Sequence, residues 1–159
     1  MEIVLILDNI RSAENVGSIL RTADAAGVRE VFLVGITPSP IDRFGRVRKD
    51  IQKTALGAEK SVVWHSSKTI QEVALSLKAK NYHIYALEQS QKSVPYTSIS
   101  FTKEGKCALI VGNETEGVST EALTFADACV EIPMYGKKES LNVSVATGIA
   151  LYAIRERAT

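Results

Sequence analysis

The chain has 159 residues, 45% of them apolar, which suits a single domain with one core of ordinary size. Its formal charge of +1 excludes a protein that is basic throughout, so any nucleic-acid footprint has to be local. No apolar run reaches the roughly 20 residues that span a bilayer, and Met1-Glu2 leads straight into a strand-like run rather than a secretory leader.

Cys107 and Cys129 both fall in apolar runs and read as buried free thiols, which points to a reducing, cytoplasmic compartment. His65 and His83 have no Cys or carboxylate at ligand spacing, so no metal is expected. Ile3–Leu7 is a short continuous run of branched residues, the pattern of a strand buried on both faces. Asp8–Asn15 is a polar loop. Val16, Ile19, Leu20, Ala23 and Ala26 then recur at helical spacing, with Gly27 as the stop. Val31–Val34 is a second strand, and this β-α-β opening predicts a parallel sheet with a right-handed crossover.

Gly35–Lys60 breaks the regularity. Pro38 and Pro40 make it a loop, and Arg43, Arg46, Arg48, Lys49 and Lys53 make it the most basic stretch of the chain. Val62–Trp64 reads as a strand, Thr69–Ala79 as an amphipathic helix carrying Ile70, Val73, Ala74 and Leu77 on one face, and Tyr82–Leu87 as a strand. Cys107–Val111 is a strand, Gly112–Ser119 a loop, Thr120–Ala126 a short helix and Cys129–Ile132 a strand. The expected fold is α/β, with a mostly parallel sheet of about six strands and helices on both faces. Ligands of such sheets sit beyond the carboxyl ends of the strands, so the loops after Leu7, Leu87, Val111 and Ile132 matter most.

Two phosphate loops are excluded. The first βα turn lacks Gly-x-Gly-x-x-Gly. Gly112-Asn-Glu-Thr-Glu-Gly117 has P-loop glycine spacing, but Val118-Ser119 stands where Lys-Ser/Thr is needed, and two carboxylates flank the would-be phosphate. The last loop runs Ile132-Pro-Met-Tyr-Gly-Lys-Lys-Glu-Ser-Leu-Asn142 into a segment, Leu141–Ile154, with almost no polar side. A helix apolar all round is expected to be buried. Ser140 and Asn142 fall at its start, where the plain expectation is an N-cap.

Three separated stretches carry a more specific signal. Asn15-x-Gly17-x-x-x-Arg21-Thr-Ala-x-x-x-Gly27, Ile110-Val-Gly-Asn-Glu-x-x-Gly-Val-Ser119 and Ile132-Pro-Met-x-Gly-x-x-x-Ser-Leu-Asn-Val-Ser-Val-Ala146 stand in this order and together span nearly the whole chain. They resemble the three ordered motifs of the SpoU family, ribose 2'-O methyltransferases of tRNA and rRNA within the SPOUT superfamily. The resemblance implies S-adenosyl-L-methionine as methyl donor, a homodimer, and a C-terminal deep trefoil knot in which the last helix is tucked through the preceding loop. Generic topology rules alone give an open sheet. Gly112, Gly117, Gly136 and Gly148 are compatible with close backbone passage. It further implies one methyltransferase domain over residues 1–159, with no appended RNA-binding domain, which favours tRNA over rRNA as substrate.

By the same resemblance Arg21 is the catalytic residue, with Asn15, Glu114, Ser140 and Asn142 as the network that places it and the ribose. Gly112, Ile132 and Leu141 would hold the adenosyl group, with Leu87 as a further wall. A free guanidinium, with a pKa above about 12, is a poor proton acceptor. Two roles remain for Arg21: to bind an RNA phosphate and stabilise the developing alkoxide, which is favoured, or to act as base once that phosphate draws off its proton. RNA is held largely through phosphates, and Arg11, Arg43, Arg46, Arg48, Lys49 and Lys53 are the expected contacts. A base-methylating SPOUT enzyme and an inactive RNA-binding module of the same fold are the rival readings.

Overall fold

A computed structural model describes residues 1–158. Seven strands form one sheet: β1 (Glu2–Asp8), β2 (Glu30–Val34), β3 (Val63–Ser67), β4 (His83–Leu87), β5 (Val94–Pro95), β6 (Lys106–Gly112) and β7 (Ala128–Glu131). Six helices connect them: α1 (Ala13–Ala25), α2 (Lys49–Ala55), α3 (Ala58–Ser61), α4 (Ile70–Ala79), α5 (Thr120–Phe125) and α6 (Val143–Glu156). The sheet order is β3-β2-β1-β6-β4-β7-β5, and every strand pair is parallel. The expected mostly parallel α/β sheet is present, with one more strand than expected. That extra strand is the two-residue edge β5, too short to leave a period in the sequence.

Successive residues of a strand point to opposite faces, and the two central strands show why both faces are covered. Ile3, Leu5 and Leu7 of β1 join Cys107, Leu109 and Val111 of β6 in a core closed by α1, α2 and α6. Val4, Ile6, Ala108 and Ile110 face the other way, into a core closed by α4 and α5. Both strands therefore read as unbroken apolar runs. Among the described residues, no helix is long and apolar enough to cross a membrane.

Three expectations need correction. The first helix begins at Ala13, so Asn15 lies in its first turn rather than in a loop. Ser12 is the cap, its side chain accepting the Asn15 N–H at 3.1 Å. The Gly35–Lys60 stretch is not all loop, since it contains α2 and α3, and Lys49 and Lys53 are helical. Each of these helices buries only two side chains, and Leu56 in left-handed geometry separates them, so no periodicity builds up. Finally, α6 is buried on one side only. Thr147, Ala150, Leu151 and Ile154 face the core, while Val145 and Tyr152 stand 51% and 46% exposed.

Helix α6 packs against α1, where a Cβ added at Gly148 would lie 3.5 Å from the Thr22 methyl, an ordinary contact. Its far end is tied down by Arg155, whose guanidinium donates to the carbonyls of Ala26 (2.7 Å), Met1 (2.8 Å) and Gly27. A cation there meets the C-terminal carbonyls of α1, the negative end of that helix.

Candidate active site

The carboxyl ends of β4, β6 and β7 open into a crevice of about 500 Å³, within the usual range for a small-molecule site. Leu87, Val111, Ile132, Met134, Leu141 and Val143 give it apolar walls. Its charged side chains are Glu88, Glu114 and Glu131, and no Lys, Arg or His lines it among the described residues. Three carboxylates with no counter-charge repel a phosphate and favour a cationic ligand.

All four residues expected to hold a cofactor, Leu87, Gly112, Ile132 and Leu141, line this crevice. At Gly112 backbones do pass closely, as expected, and the backbone concerned is that of its own loop. A Cβ there would lie 2.2 Å from both the Gly117 carbonyl carbon and the Val118 nitrogen. The glycine is required by the loop folding back over its own start, before any ligand approaches. That fold-back is an antiparallel pair, Asn113 N–H to Gly117 O and Gly117 N–H to Asn113 O, each 2.9 Å. Gly117 has a φ of +73°, which glycine adopts freely. Gly136, by contrast, has open space around it, and no close backbone passage explains it.

Three side chains that hold this loop have roles the sequence reading missed. Glu88, at the end of β4, accepts the Val118 N–H at 2.7 Å and the Gln89 N–H at 2.8 Å, pinning the β6–α5 loop across the crevice. Asn113, buried, donates to the Asn9 carbonyl at 2.8 Å and accepts from Thr115 and Glu116, which shapes the turn. The Asp8 carboxylate, 1% exposed, takes the Ser119 N–H at 2.8 Å. Asp8 ends an apolar run and Asn113 stands between a glycine and two acidic residues, but neither position signals its partner in the sequence.

The expected amide–carboxylate network is largely assembled. Glu114 accepts from the Arg11 N–H, the Ser12 N–H and the Asn15 side chain, each at 3.0 Å. Burial raises the Glu114 carboxyl, but the three donors together outweigh it and hold the group below its ordinary range. The Asn15 side-chain oxygen accepts from Asn142 at 3.2 Å. Asn142 also caps α6, accepting the Ser144 N–H at 2.9 Å, so the capping and network readings both hold for one side chain. Ser140 lines the crevice but makes no hydrogen bond among the described residues.

Arg21 is the exception. It is exposed on α1, six residues beyond Asn15 or about 9 Å along the axis, and it does not line the crevice of its own chain.

The basic candidates divide in two. Arg46 pairs with Asp42 at 2.9 Å, Arg48 with Asp50 at 2.6 Å, and Arg11 lies 3.8 Å from Glu116. Arg43, Lys49 and Lys53 have no carboxylate partner among the described residues. Sequence counting alone could not separate these groups, because pairing depends on how the 40–50 turn folds.

Fold and crevice define a parallel α/β protein with a cation-accepting ligand site where three loops meet at the carboxyl edge of the sheet. Comparison with known proteins narrows this further. The chain belongs to the SpoU rRNA Methylase family, whose family model matches residues 2–152. It is 35% identical over 157 residues to the tRNA (guanosine(18)-2'-O)-methyltransferase of Aquifex aeolicus, covering 98% of this chain and 70% of that protein. It is 36% identical over 155 residues to the 23S rRNA (guanosine-2'-O-)-methyltransferase RlmB of Escherichia coli, covering 97% of this chain and 60% of that protein. The structure of an AdoMet-bound rRNA methyltransferase from Sinorhizobium meliloti superposes with a TM-score of 0.87 at 30% identity, over 98% of this chain and 56% of that one. Several of these relatives are substantially longer than the chain described here.

Proposed function

We propose that residues 1–159 act as one S-adenosylmethionine-dependent RNA methyltransferase unit that delivers a methyl group to a ribose 2'-hydroxyl, with tRNA favoured over rRNA and the cytoplasm as its place of work. The observation that carries this reading is the charge of the crevice: Glu88, Glu114 and Glu131, with no basic side chain, on apolar walls. That lining suits a ligand bearing a sulfonium and an ammonium around an apolar adenine, and it fits a nucleotide phosphate poorly. When bound, S-adenosylmethionine supplies an already activated methyl group.

The protein's own residues then have three tasks. Leu87, Ile132 and Leu141 exclude water from the ligand, and Gly112 lets the β6–α5 loop fold back on itself to form one wall. Asn15, Glu114 and Asn142 lock the first and third loops to the second, which fixes where a ribose docks. Arg21 binds an RNA phosphate and stabilises the alkoxide that develops as the 2'-hydroxyl loses its proton.

In a single chain Arg21 stands outside the crevice, so this reading includes a homodimer in which a second copy brings its Arg21 to the site. The exposed apolar side of α6, with Val145 and Tyr152 beside the half-buried Ile149, is the surface such a partner would cover. Tyr152→Glu should then yield a monomer by light scattering with little methyl transfer. The tucking of α6 through the preceding loop, implied by the family resemblance, belongs to the same reading.

The deciding experiment is transfer of a radiolabelled methyl group to bulk tRNA and rRNA, followed by nucleoside analysis. A 2'-O-methylated nucleoside is the expected product. Label on a base, or no label in any RNA, overturns the reading.

A further inference from the structure

Residues 36–48 form a rigid projection whose tip presents an aromatic ring to solvent. Ile41 and Val47 form an antiparallel bridge, and the Asp42 carboxylate accepts the Phe44 N–H (2.8 Å) and the Arg46 N–H (2.9 Å). The Asp42 N–H donates to Arg46 O at 2.8 Å, and Gly45 turns the chain at a φ of +76°. The base of the projection is fixed to the carboxyl edge of the sheet. There the Thr37 hydroxyl accepts the Ile10 N–H at 3.0 Å and lies 2.9 Å from the Leu7 carbonyl. It therefore rises from the same edge as the crevice.

On this frame Phe44 is 66% exposed, an unusual state for a ring whose backbone is so firmly held. The Arg43 and Arg46 guanidinium carbons lie over it, 4.7 and 4.9 Å from its centroid. Their tethering differs. Arg46 is clamped to Asp42 at 2.9 Å, whereas Arg43 has no carboxylate partner among the described residues. Residues 42–53 hold five basic side chains against two acidic, a net +3 in a chain whose total is +1. A duplex backbone needs cations alone. An exposed ring carrying stacked guanidiniums matches an unstacked base, which has a π-face to lay on it and a phosphate beside it.

We propose that Phe44, with Arg43 and Arg46, is a stacking platform for an unpaired nucleotide, so that the preferred RNA is a single-stranded loop rather than a helix. The incoming base takes the place of the movable Arg43 guanidinium on the ring, and Arg43 turns to a phosphate. Arg46, held by Asp42, stays as the fixed side of the platform. Because the turn is already ordered, binding need not spend free energy on shaping it. This inference rests on the RNA-methyltransferase reading above and names the form of RNA it takes.

The test compares wild type, Phe44→Ala and Phe44→Trp by fluorescence anisotropy. The probes are a 20-nucleotide single-stranded oligoribonucleotide and the duplex of the same sequence, each over a salt series. Phe44→Ala should weaken single-strand binding at least about fivefold. Its salt slope and its duplex affinity should stay unchanged, and Phe44→Trp should restore wild-type affinity. Equal loss on both probes, no loss on either, or a change in the dimer mass of Phe44→Ala overturns the proposal; the last result would assign the ring to a protein contact. A wild-type protein that methylates RNA but whose affinity ignores Phe44 overturns only the platform. A wild-type protein that neither binds nor methylates RNA overturns both readings.

Discussion

Gly112→Ala isolates what the β6–α5 loop contributes. The added methyl would start 2.2 Å from the Gly117 carbonyl carbon and the Val118 nitrogen, and 2.4 Å from the Gly117 oxygen. Ordinary contact begins near 3.4 Å, so this peptide has to retreat by about 1.2 Å. It is backbone, so no rotamer change relieves the clash. Overpacking of this kind costs about 1–3 kcal/mol. The retreat also stretches the two 2.9 Å bonds between Asn113 and Gly117 and the 2.7 Å bond from Val118 to Glu88. Such bonds contribute about 0.5–1.5 kcal/mol each, and water recovers part of that at a crevice edge. A net loss of about 3 kcal/mol follows, or roughly 6–12 °C in Tm for a chain of this size. Thermal unfolding followed by circular dichroism, with and without S-adenosylmethionine, reads both halves of the effect. The variant should melt lower and gain little from the ligand. A Tm within about 2 °C of wild type with undiminished ligand stabilisation would refute the claim that the loop's own fold-back demands glycine.

Two further outcomes follow from the titrating groups. Glu114 is held below its ordinary value of 4.5, so its stabilising effect is complete above that value and disappears as pH falls through the lower folded pKa. Wild type should exceed Glu114→Gln in urea stability at pH 6–7, with the gap closing below pH ~4; a constant gap down to pH 3 would contradict this. The Cys107 thiol is 1% exposed and burial pushes its pKa up to about 12, whereas Cys129 is only half-buried. Iodoacetamide should therefore alkylate Cys129 in the native protein and reach Cys107 only on unfolding, as peptide mass spectrometry would show.

The parts of the fold that were legible in the sequence are those where one physical demand governs a whole segment. Strands β1 and β6 are buried on both faces, and an unbroken run of five apolar residues meets that demand in each. Helix α4 shows its buried stripe directly, although Thr69, read as its first residue, is its cap. Helices α2 and α3 were hidden because each buries too little to make a pattern. The outer side of α6 was misjudged because apolar composition reports that a surface is covered and not by what. In one chain that side is open at Val145 and Tyr152.

The candidate site divides along similar lines. Gly112, Ile132 and Leu141 were reached through the motif resemblance, and Leu87 because it ends a strand beside them; all four line one crevice at the carboxyl edge of the sheet. Glu88 was not reached, since a carboxylate that works by accepting two backbone N–H groups has no partner residue type to betray it. The pairing of Arg46 and Arg48 with nearby aspartates was hidden for a related reason. Asp42 and Asp50 read equally well as turn and helix-start residues, roles they also fill.

Whether the guanidinium of Arg21 drives the chemistry from a neighbouring subunit is read most directly by mixing two inactive proteins. One carries Arg21→Ala with an intact crevice, and the other keeps Arg21 but carries Gly112→Val, which drives the Gly117–Val118 peptide out of place and so spoils the crevice. Each alone should transfer no methyl group, while Arg21→Ala should still bind S-adenosylmethionine by calorimetry with wild-type affinity. Unfolded and refolded together, they should regain activity, because the mixed dimer sets a sound crevice against a sound arginine. No activity in a verified mixed dimer would place Arg21 and its crevice in the same chain, and near-normal turnover by Arg21→Ala alone would remove that residue from the reaction.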